Sequence, residues 1–210
     1  MVETTIEPLD KKISDLRVSP AQHLHGAFVD AGVTGAFGVR VREEQFLTMV
    51  SLRVPAGSPD RARLGKILGA ELPGRCGEVA TGHDVVVLWL SPDEFLVISQ
   101  SVAGSTLVSY LRAGVSEDGA AVVDLSANRT TLRLEGASAR AVLEKGCPLD
   151  LHPRSFPTGT AVVTAIGRVP VLLWKIEADS YRILPRASYA DYLGRWLIDA
   201  MAEFKLLGSG

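Results

Sequence analysis

Between Val123 and Pro153 the chain reads VDLSANRTTLRLEGASARAVLEKGCPLDLHP, and this stretch gathers most of the residue types that do chemistry. Cys147 stands five residues before His152, the side-chain pair of a thiolate nucleophile and its base. A thiol ionises at neutral pH only beside a base, a cation or a helix N-terminus. Cys147 instead follows the C-terminal end of a predicted helix, where the dipole opposes a thiolate, so a structural thiol is the favoured reading. A cysteine hydrolase would require rapid alkylation of Cys147 at neutral pH. Asp124 closes an apolar run, and a carboxylate there has either a raised pKa suited to proton transfer or a partner that satisfies it. Arg129, or the turn amides of Ser126 and Asn128, stand close enough to be that partner, and structural satisfaction is favoured.

Elsewhere, His23 and His25 (QHLH) would share one face of a strand and could ligate a metal, but no carboxylate or cysteine cluster accompanies them. A surface or interface role fits them better. Gly32, Gly35 and Gly38 have the wrong spacing for a dinucleotide loop and follow no predicted strand. Arg61, Arg63 and Lys66 read as the solvated face of an amphipathic helix, without the aromatics of a nucleic-acid platform. No GxSxG elbow, phosphate loop or HExxH occurs. No residue is therefore assigned to catalysis or to a metal, and none to a cofactor beyond Asp124.

These residues depend on the elements that carry them. Residues 1–40 show little periodicity, interrupted by glycines at 26, 32, 35 and 38, and read as an extended arm. Gln45–Val54 is a β run, and Ser58-Pro59 starts a helix carrying Leu64, Ile67 and Leu68. The run DVVVLWL, Asp84–Leu90, is apolar throughout, which implies burial on both faces, and Ser91–Glu94 turns it into a second strand, Phe95–Ser99. A helix with Leu107, Tyr110 and Leu111 closes near Gly114. Ala121–Leu125 and Thr130–Leu134 read as a hairpin around the turn Ser126–Arg129. A helix with Val142 and Leu143 follows, with Gly146 as its left-handed C-cap. Ala161–Ile166, Val169–Ile176 and Tyr181–Leu184 form a meander. The last helix, capped by Ser188 with Asp191 at N3, shows a stripe of Tyr189, Tyr192, Leu193, Trp196, Leu197, Ala200, Met201 and Phe204. Helices alternating with antiparallel strands predict an α+β fold. It comprises two similar halves, about 41–118 and 119–205, with helices packed on one face of each sheet in a single domain.

Totals limit the function classes. A chain of 210 residues buries roughly 70% of its unfolded surface. With 47% hydrophobic and 22% charged residues and a net charge of −2, neither nucleic acid nor an anionic membrane is expected as a partner. Two cysteines, Cys76 and Cys147, encode neither a disulfide framework nor a zinc site. The N-terminal segment MVETTIEPLDKKISDL lacks the pattern of a secretory signal. The longest apolar run, Val85–Leu90, is six residues, where a membrane helix needs about 20. A cytoplasmic location is the expectation; Gly208-Ser209-Gly210 is given no structural weight.

The segment VDLSANRTTLRLEGASARAVLEKGCPLDLHP, followed by FPTGTAVVTAIGRVPVLLW and YADYLGRWLIDAMAEF, resembles the gamma-subunit family of heterotetrameric sarcosine oxidase over roughly residues 80–204. CPLDLHP and WLIDAMAEF are its most specific pieces. The pattern of D-x-S, apolar strand, glycine and small-residue helix also resembles the folate-binding domain of the glycine-cleavage T-protein. That resemblance implies a fold of repeated α+β halves. The resemblance to the gamma-subunit family further implies a complex that oxidises sarcosine to glycine, with hydrogen peroxide and formaldehyde or methylenetetrahydrofolate as products. FAD, FMN and NAD would sit on partner subunits, the alpha, beta and delta chains would be the companions, and this chain would carry no cofactor. T-protein relatives hold the pterin with a Gly-Glu segment before the last strand, where this chain reads Val169-Pro170-Val171-Leu172-Leu173-Trp174. Asp124 remains as the one folate-binding candidate, and a free-standing folate or one-carbon transfer protein is the alternative.

Overall fold

The structure, a computed structural model, describes residues 16–116 and 119–207. The chain runs through α1 (His25–Ala31), β1 (Arg40–Glu43), β2 (Thr48–Arg53), α2 (Asp60–Leu68), β3 (Val79–Thr81), β4 (Val85–Ser91), β5 (Glu94–Ser99) and α3 (Gly104–Ala113). It continues through β6 (Ala121–Asp124), β7 (Leu132–Glu135), α4 (Ala139–Glu144), β8 (Ala161–Ile166), β9 (Val169–Glu177), β10 (Ser180–Pro185) and α5 (Ala190–Leu207). Two five-stranded antiparallel sheets result, ordered β3-β4-β5-β2-β6 and β1-β7-β10-β9-β8.

The continuous apolar strands are explained by what covers them. On one face of the first sheet, Val50, Leu52, Val87, Phe95 and Val97 pack against Leu64 and Leu68 of α2 and Leu107 and Leu111 of α3. In the second sheet, Leu132, Leu134, Val171, Leu173 and Ile183 pack against Val142 and Leu143 of α4 and Leu193, Leu197 and Met201 of α5. The opposite faces meet each other: Met49, Leu88, Leu96 and Ile98 of the first sheet join Leu172, Trp174 and Leu184 of the second in one buried cluster. The layers therefore run helix, sheet, sheet, helix, and each sheet carries its helices on one face.

The two halves repeat in topology. Written from the other end, the first sheet is β6-β2-β5-β4-β3, and the second is β1-β7-β10-β9-β8. Adding five to the strands of the first half gives those of the second, with α2 matching α4 and α3 matching α5. The first strand of each half is exchanged: β1 pairs with β7, and β6 pairs with β2. The expected hairpin of Ala121–Leu125 with Thr130–Leu134 is thus absent, because the turn at Ser126–Arg129 carries the chain from one sheet to the other.

Three further expectations are corrected. The segment read as an extended arm is helical over Gln22–Leu24 and α1, while its residues 1–15 lie outside the described ones. Ala21, Leu24 and Phe28 are buried in the second core, and Leu24 and Phe28 seat over Gly194 of α5, where any Cβ would meet them. Glycine is what allows that close approach. The buried face of α5 accordingly takes in Ala190 and Gly194 and leaves Tyr189 and Tyr192 outside. Gly146 does not have the positive φ of a left-handed cap; a Cβ there would stand 2.5 Å from the Trp196 ring, so the position needs small size. No helix among the described residues is long and apolar enough to cross a membrane.

Candidate functional site

Asp124 ends β6 opposite Val50. Its Oδ1 accepts the Ser126 amide at 2.8 Å and the Ser126 hydroxyl at 2.5 Å. Oδ2 lies against Gly104, the first residue of α3, where a side chain would collide with it. The Ser126 hydroxyl oxygen in turn accepts the Met49 amide at 3.0 Å. Asp124 thus ties a strand end, a turn and a helix start together, and of the partners considered for it, Arg129 and the turn amides of Ser126 and Asn128, the Ser126 amide is the one it uses. Its repeat counterpart at the end of β1, Glu43, does the same: it accepts the Ala21 amide at 3.0 Å and the hydroxyls of Thr130 and Ser19, each at 2.5 Å.

Arg129, the other partner considered for Asp124, points elsewhere. Its Nη1 donates to the Leu184 carbonyl at 3.0 Å, and its Nε is buried with no acceptor. Burial, and then the Arg186 cation, hold its pKa below the ordinary arginine value.

Cys147 and His152 do not meet. The Cys147 sulfur is buried, 3.9 Å from the Thr164 hydroxyl, and its amide donates to the Leu143 carbonyl. The His152 Nδ1 accepts the Arg154 amide at 3.2 Å within an exposed turn. Asp150 organises that turn by accepting the Ser155 hydroxyl and the His152 amide, which hold its carboxyl below the usual range. CPLDLHP is therefore a folded corner, with no nucleophile–base contact in it. His23 and His25 stand on helical turns, where a strand was expected; His23 Nε2 lies 2.7 Å from Asp191 Oδ1 and links the 3-10 turn Gln22–Leu24, just before α1, to the start of α5. Among the described residues, no three His, Cys, Asp or Glu side chains cluster as a metal site.

A charge network runs along β1, β7 and β10, with Arg182 buried, Glu44, Arg133 and Glu135 partly buried, and Arg40 and Arg42 exposed at its edge. Glu44 lies 2.5 Å from Arg182, 3.3 Å from Arg42 and 3.6 Å from Arg133. Glu135 lies 2.7 Å from Arg40 and 2.8 Å from Arg133. Burial pushes the Glu135 carboxyl up, but Arg133, Arg40 and Arg42 outweigh it and hold the group below the usual range. A cavity of about 530 Å³ opens onto this network, lined in part by Gln22, His25, Gln45 and Gln100. The arginines here already face carboxylates, so the network sets the register of β1, β7 and β10.

The donor sets fit neither a dinucleotide nor a pterin. A dinucleotide needs a glycine-rich turn between strand and helix, and Gly32, Gly35 and Gly38 instead surround a 3-10 turn ahead of β1. A pterin needs several converging polar groups, whereas Val169–Trp174 lies in β9 and is buried except at Pro170, and Asp124 is engaged by Ser126. Sequence reasoning missed the charge network and the Arg129–Arg186 pair. RVRE in β1 alternates a buried valine with charges, which is a strand signal once polar residues are allowed inside.

Comparison with known proteins fits this picture. Residues 55–203 match the model of the sarcosine oxidase, gamma subunit family. Sarcosine oxidase subunit gamma of Corynebacterium sp. (strain U-96) is 45% identical over 192 residues, covering 91% of this chain and 93% of the relative. The subunit from Arthrobacter sp. is 44% identical with the same coverage. A chain of the heterotetrameric sarcosine oxidase from Corynebacterium sp. U-96, solved with pyrrole 2-carboxylate, superposes with a TM-score of 0.86 at 45% identity, over 90% of this chain and 97% of that one. The glycine cleavage system aminomethyltransferase T from Bartonella henselae shares the fold, with a TM-score of 0.64 at 14% identity over 91% of this chain and 62% of that one. By sequence, by topology and by superposition, this chain belongs to the sarcosine oxidase gamma subunit family.

Proposed function

We propose that the chain is the cofactor-free assembly subunit of a heterotetrameric sarcosine oxidase. The observation that carries this reading is the superposition, which spans 97% of a chain from such a complex at 45% identity. In this reading the complex oxidises sarcosine to glycine with formaldehyde or methylenetetrahydrofolate and hydrogen peroxide as products. FAD, FMN and NAD reside on partner subunits of the alpha, beta and delta type, and the assembly is cytoplasmic. The chain contributes shape and contact surface. Exposed Val29, Phe37, Tyr110, Val123 and Val163 are apolar groups that a partner would cover.

Two measurements test it. Expressed alone, the chain should be prone to association, and co-expression with the flavin-bearing subunits should bring it into one complex of fixed stoichiometry. A monodisperse chain that never joins them defeats the proposal. Titration of the purified chain with tetrahydrofolate should give no binding heat, because Asp124 is already engaged by Ser126; a saturable heat abolished by Asp124→Ala would restore the folate reading.

A further inference from the structure

Beyond the end of the β7–β10 ladder the two chains stay in register. Thr130 donates its amide to the Pro185 carbonyl at 3.3 Å, and Ala187 donates to the Asn128 carbonyl at 2.8 Å. Between these bonds Arg129 and Arg186 form an isolated antiparallel bridge. In such a non-hydrogen-bonded pair the Cα atoms approach to about 4.5 Å, and the side chains leave on the same face, closer than in the alternate pairs. Like charges directly opposite one another in a sheet are destabilising. Among the described residues neither arginine forms an ion pair, and Arg186 makes no side-chain hydrogen bond either. Glu94 acts on Arg129 only through space and is itself paired with Arg53 at 2.8 Å.

The pair opens onto a hollow of about 270 Å³, whose other walls include Val163, Pro170, Leu172 and Tyr189. This is the inter-sheet face of the second sheet where the first sheet does not cover it. Val163 is 61% exposed and Tyr189 41%. Two guanidiniums without an ion-pair partner among the described residues, one with an unused buried N–H, beside an apolar wall make a receptor for a planar anion attached to an apolar chain.

We infer that the Arg129–Arg186 hollow is an anion seat that receives a carboxylate side chain from an acidic segment of a companion subunit, whose flanking apolar residues cover Val163, Pro170 and Tyr189. This rests on the assembly role proposed above. A free small anion would satisfy the same charges, but the exposed apolar wall beyond the arginines is left for a polypeptide to bury.

The test uses the complex. Parent, Arg186→Glu and Arg154→Glu chains are each co-expressed with the companion subunits, and their retention in the purified complex is measured at low and high salt. Arg154 is exposed and lines no part of the hollow. Arg186→Glu should weaken retention about tenfold or more, most strongly at low salt, while Arg154→Glu behaves as the parent. Arg186→Ala, freed of the repulsion, should melt no earlier than the parent when isolated, which separates lost docking from lost folding. Full retention of Arg186→Glu overturns the seat and leaves the assembly role standing; failure of the parent to join any complex overturns both. Saturable binding of inorganic phosphate at the arginines, with retention unchanged by Arg186→Glu, would assign the hollow to a free anion and also overturn the proposal.

Discussion

A carboxylate's meaning in this protein is set by its donors, and the most enclosed one among the described residues is Asp60. It has no exposed surface at the start of α2 and accepts the Ser116 hydroxyl at 2.8 Å, the Ser116 amide at 3.1 Å and Arg63 Nη1 at 2.8 Å. The Ser116 hydroxyl bond, then its amide, hold the carboxyl below the ordinary range; burial opposes them, and Arg63 adds to the depression. A folded-state pKa below the unfolded value of about 3.9 contributes stability that is present above that value and lost as pH falls through the folded pKa. Asp60→Asn should therefore be less stable than the parent at neutral pH and should lose less stability between about pH 4 and the folded pKa. Urea midpoints across that range report it, and equal acid slopes in both proteins would remove Asp60 from the account. Glu78, Asp93, Asp150 and Asp191, depressed by hydrogen bonds, and Glu135, depressed by its arginines, contribute to the slope that remains. Asp124 was legible at this scale, because a strand-ending aspartate followed two residues later by serine encodes its own satisfaction. Arg129 was not, because nothing in its neighbourhood says that its cross-strand partner is another arginine 57 positions on.

At the scale of elements, periodicity identified most of the strands and four of the helices within a few residues, because each has a face that must be dry. It failed where a face is short or polar. α1 is seven residues, with Phe28 its one buried side chain, and β1 presents only Val41 to the core while its arginines enter the charge network. Such elements hold through tertiary contact, which a local window does not see. The consequence is measurable. Phe28, 3% exposed, packs with Leu24 over Gly194 of α5, so Phe28→Ala should destabilise the protein by about 3–5 kcal/mol. Val29→Ala, at a side chain 67% exposed, should stay within about 0.5 kcal/mol of the parent. Chemical denaturation of the two variants decides whether α1 is part of the core: a Phe28→Ala loss as small as that of Val29→Ala would make it the detachable arm that the sequence implies.

The whole molecule is organised by the exchange of β1 and β6. Repetition of the halves was legible because the same order of strand and helix recurs, but the exchange was not, since the alternation of side chains specifies which face of a strand is buried and leaves its neighbour open. A strand and the next one across a short polar turn usually pair, and β6 and β7 are the exception because β6 completes the sheet of the first half while β7 stays in the sheet of the second. This has a cost for autonomy. A fragment ending at Asp118 retains β2 to β5 without the β6 partner of β2, and carries β1 with no β7 to pair with. The complementary fragment keeps β7 to β10 and exposes the β7 edge, along with the face of α5 that Leu24 and Phe28 cover. Each therefore has an open sheet edge and an orphan strand, a combination that favours aggregation over folding. Expressed separately, residues 1–118 and 119–210 should show no cooperative melting transition, while the two produced together should associate and recover the far-ultraviolet circular dichroism of the intact chain. Independent cooperative melting of either piece would mean that the exchanged strands are accessories. Failure of the pair to associate would mean that the covalent link at 118–119, and not the mutual exchange, holds the two sheets together.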